Sequence, residues 1–230
     1  MTDVVTGIEY KIFMNNKSFL LDRKKYELLD DINSCNSISE AAKLNEISYR
    51  TALNFINKIE SALDIDIVDT YKGGKGGGGK TNLTEDGFSI LKECKKVNAI
   101  MELHKDFNEI ETTVSNIDKS KGIMELKNND FVITVPSKNK LEIGDRILAL
   151  INYDNIFLML EPQQSTIRNI IKGKILEMNL ENSIIRVKID VGGIYLFSYI
   201  TVSAKKDLGF DLGDEVFVAF KAMSVATLKL

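Results

Sequence analysis

The 230-residue chain has no tryptophan, one histidine and two cysteines. Cys35 and Cys94 are far apart and have no Cys or His neighbours, so they build neither a disulfide framework nor a metal site, and they fit a reducing cytoplasm. With one histidine, no nucleophile elbow and no metal-ligand cluster there is no catalytic constellation, and no enzyme activity is expected. No apolar run approaches the ~20 residues that cross a bilayer, and the opening MTDVVTGIEYKIF lacks a charged start followed by an apolar stretch. A cytoplasmic protein without a membrane partner is expected. Neither charge sign dominates: 30 Lys and Arg against 33 Asp and Glu give a formal charge of -3. Contact with a polyanion must therefore come from a local patch.

Glycine is concentrated in one place. Val68 to Leu83 reads VDTYKGGKGGGGKTNL, with six glycines, Lys72, Lys75 and Lys80, and no acid after Asp69. Such a run has almost nothing to bury and much conformational entropy to lose. It reads either as a flexible linker or as a hairpin loop, a wing, whose amides and ammonium groups meet phosphate. Gly74 to Thr81 also spells a phosphate-loop pattern, but no strand of a parallel sheet precedes it and no helix starts at Lys80.

Ahead of the glycines, Glu9 to Leu21 alternates around Asn15-Asn16-Lys17 and predicts a hairpin. Tyr26, Leu28, Leu29 and Ile32 mark a first helix, and Ser37 with Glu40 forms a capping box for a second over about 38–44. Ser48 caps a third, with Ala52, Ile56, Ile59 and Leu63 facing inward and Tyr49, Arg50, Asn54 and Lys58 outward. Two short helices with a polar outer face on the second suit a helix-turn-helix laid in the major groove, or simply a solvated face. A long helix is predicted from Thr84 to about Val114, its stripe of Ile90, Cys94, Val97, Ile100, His104, Phe107 and Val114 too long for the small domain to cover. A partner copy is expected to cover it, with His104 packed in that interface.

Past Ser120 the pattern turns to short strands with an internal repeat. Ile133 to Lys138 parallels Ile200 to Lys205, and Leu141 to Asp145 parallels Phe210 to Asp214, each leading into an apolar strand. Small β-barrels of oligonucleotide/oligosaccharide-binding type are expected. The second copy alone is expected to have an extra strand, Ser165 to Met178, and it alone ends on a lysine, Lys221, where the first has Asn152.

The helix-turn-helix followed by Thr70-Tyr71-Lys72-Gly73-Gly74-Lys75-Gly76-Gly77-Gly78-Gly79 and a Leu83-Thr84 helix start resembles the LysR-like head of the ModE family of molybdate-responsive transcriptional regulators. The C-terminal half resembles the Mop, or TOBE, molybdate-binding fold. Ser165-Thr166-Ile167-Arg168-Asn169 is similar to the family's oxyanion motif Thr-Ser-Ala-Arg-Asn, and Ile200-Thr201 and Lys221-Ala222 match its strand end and Lys-Ala pair. This chain departs from the family in having Thr166 for a serine and Ala204 for a serine, which leaves an amide or neighbouring Ser203 to make that contact. The resemblance implies an α+β multidomain protein: a winged helix-turn-helix over 1–83, a dimerisation helix over 84–118, a partial first TOBE-like repeat over 119–162 and a Mop/TOBE domain over 163–230.

Molybdate or tungstate is a tetrahedral dianion that needs opposite charge and aimed donors to leave water. Arg168 and Lys221 are expected to supply charge, and Thr166, Thr201, Ser203, Ala204 and Ala222 the hydroxyls and amides. Ser48, Tyr49, Arg50, Thr51, Asn54, Lys58, Lys72, Lys75 and Lys80 are expected to contact double-stranded operator DNA as a homodimer. The implied function is anion-responsive transcription regulation; the alternative is a cytoplasmic molybdate-binding or storage protein without specific DNA binding.

Overall fold

In the computed structural model, residues 8–71, 80–103, 105–128, 131–138 and 140–230 are described. The chain divides into two compact units, Met1–Leu103 and His104–Leu230.

The first unit opens with β1 (Tyr10–Met14) and β2 (Lys17–Leu21), closed by Asn15 and Asn16 at φ 48° and 62°. Asparagine tolerates this left-handed pair, which matches the twist of a two-residue hairpin. Three helices follow: α1 (Arg23–Cys35), α2 (Ile38–Leu44) and α3 (Tyr49–Leu63). Asp22, Ser37 and Ser48 each accept a bond from the backbone amide three residues on, which fixes where the helices begin. The reciprocal half of the expected capping box is replaced, because the Glu40 carboxylate accepts from Lys43 Nζ at 2.8 Å. Leu28, Leu29 and Ile32 of α1, Ala41 and Ala42 of α2, and Ala52, Ile56, Ile59 and Leu63 of α3 form one core.

A ribbon of β3 (Val68–Tyr71) and β4 (Lys80–Leu83) comes next, tied to the end of α1 by Thr81 N donating to Asn36 O at 2.9 Å. The glycine run, with Lys72 and Lys75, lies outside the described residues. α4 (Glu85–Leu103) starts where Thr84 Oγ1 accepts from Gly87 N at 3.0 Å. Gly87 is required there, because a Cβ would overlap the Ile67 carbonyl oxygen. The predicted helix through Val114 is corrected: it ends at Leu103, and Phe107–Asp118 is strand β5. Phe107 and Val114 recur at helical spacing, but the buried positions are Asn108, Ile110, Thr112 and Val114. Two of those are polar, so a hydrophobicity pattern misses the two-residue period. His104 lies outside the described residues.

The second unit is two five-stranded antiparallel sheets. The remaining strands are β6 (Ile123–Lys127), β7 (Val132–Pro136), β8 (Arg146–Asn152), β9 (Phe157–Met159), β10 (Asn169–Glu181), β11 (Ile184–Asp190), β12 (Tyr195–Thr201), β13 (Glu215–Phe220) and β14 (Val225–Lys229), with α5 (Val202–Leu208) before β13. Strand orders are β14-β8-β5-β6-β7 and β12-β11-β10-β13-β9. Each sheet takes four strands from one repeat and its fifth from the other, so the repeats exchange β9 and β14. Their core is continuous through Ile110, Leu126, Ile147, Ile175, Val187 and Val218.

β5 overturns the expectation that the second repeat alone carries the long first strand. β5 and β10 occupy equivalent places, and each has a bulge, after Val114 and after Ile175. The register also corrects the sequence repeat. Val114 faces Leu126 and Leu126 faces Ile133, just as Ile175 faces Ile189 and Ile189 faces Leu196. Ile133 therefore corresponds to Leu196, not to Ile200. The second repeat inserts α5 after β12, and matching the two Ile-Thr pairs by eye absorbs that insertion in the wrong place.

Candidate functional site

The exposed face of α3 is the complement of its buried stripe: Arg50, Asn54, Asn57 and Ser61 repeat at helical spacing, with Tyr49 and Lys58 beside them. No carboxylate stands on this face among the described residues, since Glu60 turns inward and accepts from Ile67 N at 2.9 Å. Ser48 and Thr51 serve as the cap of α3, their hydroxyls 2.8 Å apart. Lys80 is exposed on β4. Asn57 and Ser61 were not singled out in the sequence, though the complement of Ala52, Ile56, Ile59 and Leu63 identifies them. The face offers one guanidinium, one ammonium, two amides and two hydroxyls, the donor and acceptor set that reads base edges and phosphate.

On α4 the first half is buried through Ile90, Leu91 and Cys94, while Val97, Ile100, Met101 and Leu103 remain 42, 58, 49 and 62% exposed. Burial pushes the Cys94 thiol up to about 11, so it is an inert core group.

In the second unit, Arg168 lies just before β10 and Lys221 just after β13. Asn169 pairs with Phe220 in that antiparallel ladder, so both cations stand at the same end of neighbouring strands. Both are exposed, and among the described residues neither is ion-paired; Arg168 Nη1 donates only to Ser165 O at 3.3 Å. Thr166 is exposed beside them, and Ala222 opens a 3-10 turn after Lys221. The first amides of such a turn lack internal acceptors.

Thr201, Ser203 and Ala204 lie elsewhere. Thr201 faces Ile184, and Ile184 faces Glu181, which places this group at the far end of β10 from Arg168. Thr201 Oγ1 caps α5 by accepting from Ala204 N at 3.1 Å, and Ser203 Oγ donates to Asp207 at 3.0 Å. The seven residues expected to form one anion site thus fall into two groups at opposite ends of one repeat.

Asn169, which immediately follows Arg168, was not singled out for a role. It is 3% exposed, its Oδ1 accepts from Thr134 N at 2.7 Å, and its amide donates to Thr134 O at 3.0 Å. Asn108 makes the same pair of bonds to Phe197, at 2.7 and 2.9 Å. Each asparagine fastens the start of its long strand to a strand of the other repeat. Alternation then turns Arg168 the opposite way, outward.

The TOBE domain family matches residues 165–227. The chain is 32% identical over 84 residues to the molybdenum import ATP-binding protein ModC of Haemophilus influenzae, covering 36% of this chain and 24% of that protein. It is 28% identical over 100 residues to the molybdate/tungstate import ATP-binding protein WtpC of Pyrococcus abyssi, covering 44% and 28%. Against the transcriptional regulator ModE of Yersinia pestis it is 38% identical over 71 residues, covering 31% and 27%. The chain thus spans about a quarter of the length of these curated relatives. A solved structure of the cytoplasmic molybdate-binding protein ModG, with molybdate bound, aligns with TM-score 0.45 and 22% identity over 52% of this chain and 94% of that one.

Proposed function

We propose that this protein is a DNA-binding regulator that responds to molybdate or tungstate, acting as a homodimer in the cytoplasm. The observation that carries the anion reading is the pair Arg168 and Lys221, exposed and, among the described residues, without a carboxylate partner, at one end of β10 and β13 inside the stretch that matches the TOBE domain. Two like charges held together repel, and a dianion between them removes the repulsion while taking charge-assisted bonds. Thr201, Ser203 and Ala204 stand too far along β10 to reach the same anion within one repeat, so a second copy of the chain supplies them. An anion bridging two copies then fixes their relative orientation. It shifts DNA affinity by the difference in its affinity for the DNA-competent and other states.

The DNA reading rests on the acid-free face of α3 and on Lys80, exposed on the β3–β4 ribbon that follows α3 in the chain. The homodimer reading rests on the bare second half of α4, whose Val97, Ile100, Met101 and Leu103 need cover. Arg50, Asn54 and Asn57 contact base edges, and Lys58 and Lys80, with Lys72 and Lys75, contact phosphate.

Calorimetric titration of the full chain with molybdate, tungstate and sulfate tests the anion half, since no tryptophan serves as a reporter. Tight uptake of the first two, abolished in Arg168→Ala/Lys221→Ala, is expected; full anion response in that double variant would sink the assignment. Footprinting on operator fragments with and without anion tests the other half. Lys80→Ala is expected to weaken binding to all sequences and lower the salt slope by about 1, while Arg50→Ala also relaxes specificity. Anion uptake without any specific DNA contact would leave a binding or storage protein.

A further inference from the structure

The first repeat's sheet has β7 and β14 as its two edges, and the second repeat's sheet has β12 and β9. Each pair of edges meets at a 3-10 turn. Ala222–Ser224 packs against β7 and runs on into β14, and Tyr153–Asn155 packs against β12 and runs on into β9. An asparagine on the other repeat's long strand holds the same edge: Asn169 of β10 grips Thr134 of β7, and Asn108 of β5 grips Phe197 of β12. The two seams are equivalent in position and are closed by different chemistry.

The β12–β9 seam is filled by side chains of the fold itself. Tyr153 stacks on Phe197 with centroids 5.3 Å apart and meets Tyr199 edge-on at 5.4 Å. Tyr199 donates to the Asp106 carboxylate at 2.9 Å, and Tyr153 N donates to Asp106 O at 3.0 Å. The ladder registers put Ala222 in the place of Tyr153, Thr134 in that of Phe197 and Pro136 in that of Tyr199. The β7–β14 seam thus has none of those three aromatic rings, and among the described residues Ala222 N makes no bond equivalent to that of Tyr153 N. It has Arg168 and Lys221 instead. Arg168 precedes the asparagine that grips β7, and Lys221 precedes the turn that becomes β14. Two like charges on either side of a joint push it apart.

We propose that a dianion on Arg168 and Lys221 staples the β7–β14 seam, fastening both edges of the first repeat's sheet. This rests on the anion reading of that pair and adds where inside the chain the signal goes. Ligand held at the strand ends of the second repeat is read out as closure of the first, whose β5 is the next element after α4 in the chain. The ring-filled seam needs no ligand to close.

Amide hydrogen exchange of the full chain tests this, with and without molybdate at about one hundred times the dissociation constant found by calorimetry. An opening that releases the anion then slows about a hundredfold. That slowing is expected in β7 and β14, while β9 keeps its rate. β9 rather than β12 is the control, because β12 leads into the Thr201 group that meets the anion from a second copy. Exchange is followed at times short of global unfolding, which slows every amide alike. Asn169→Ala, saturated with molybdate, is expected to keep the slowing in β14 and lose it in β7, since only the grip on Thr134 is cut. If that variant does not fold, the wild-type comparison of β7 and β14 with β9 decides alone. Molybdate uptake with β7 and β14 unchanged, or with β9 slowed equally, overturns the staple and leaves the anion reading standing. No uptake overturns both.

Discussion

Asn108 and Asn169 are the same device in two settings. Each is buried, each holds both the amide and the carbonyl of one residue in the opposite repeat, and only Asn169 has a cation next to it. Truncating either to alanine orphans a backbone donor and acceptor, which costs about 1–3 kcal/mol per group. Asn108→Ala and Asn169→Ala are therefore expected to lose similar stability in chemical denaturation, while only Asn169→Ala also weakens molybdate uptake by loosening Arg168. Equal uptake by both variants would show that the clamp does not position the arginine. Tyr199 supplies a second residue-level prediction. Burial, reinforced by the Asp106 carboxylate it donates to, pushes its hydroxyl up to about 12 from 10.0. The fold prefers the neutral phenol, so this stabilisation is complete below the unfolded value and is lost as pH rises from there through the folded one. Wild type is expected to lose more stability than Tyr199→Phe between pH about 10 and 12, read by chemical denaturation across that range. All three residues were hard to see in the sequence, because a buried asparagine or tyrosine looks like any polar surface residue until its partner in the other repeat is known.

Elements were most legible where a local signal sufficed. The three N-terminal helices were readable from their caps and apolar stripes, and the β1–β2 hairpin from Asn15-Asn16. β5 was not, since Asn108 and Thr112 occupy its core-facing positions and Thr112 Oγ1 is satisfied by the Ile147 carbonyl of β8, at 2.9 Å. A strand that buries polar groups needs its partner before its period makes sense. β10 carries a different long-range constraint at Gly173, which lies where the strand passes from β13 to β11. A Cβ there would stand 2.7 Å from Ile189 Cγ2 and 2.8 Å from Asp190 O. Gly173→Ala is expected to destabilise the second unit by about 1–3 kcal/mol through overpacking. An unchanged midpoint in urea would mean that β11 shifts freely.

At the scale of the whole molecule, the strand exchange makes the two sheets of the second unit depend on each other. β14 pairs with β8 from Val225 opposite Ile151 to Lys229 opposite Ile147, so the end of the chain completes the first repeat's sheet. Removing residues 225–230 is expected to speed amide hydrogen exchange along β8 while leaving the β10–β11 ladder protected; unchanged protection of β8 would show that β14 is dispensable. The sequence by itself determined what depends on neighbours within a few residues: helix starts, the glycine-rich interruption, the existence of a repeat, and the residue types by which 165–169 resemble an oxyanion motif. The resemblance put Arg168 and Lys221 into one expected site, and the β10–β13 ladder is what brings them to the same end. Only the tertiary structure decided that Thr201, Ser203 and Ala204 lie at the other end of β10, that β5 is the counterpart of β10, and that one repeat's end is closed by aromatic rings. Those outcomes depend on register, on which strand completes which sheet, and on which buried polar group finds a partner. Such relations join residues far apart in the chain, and no local pattern encodes them.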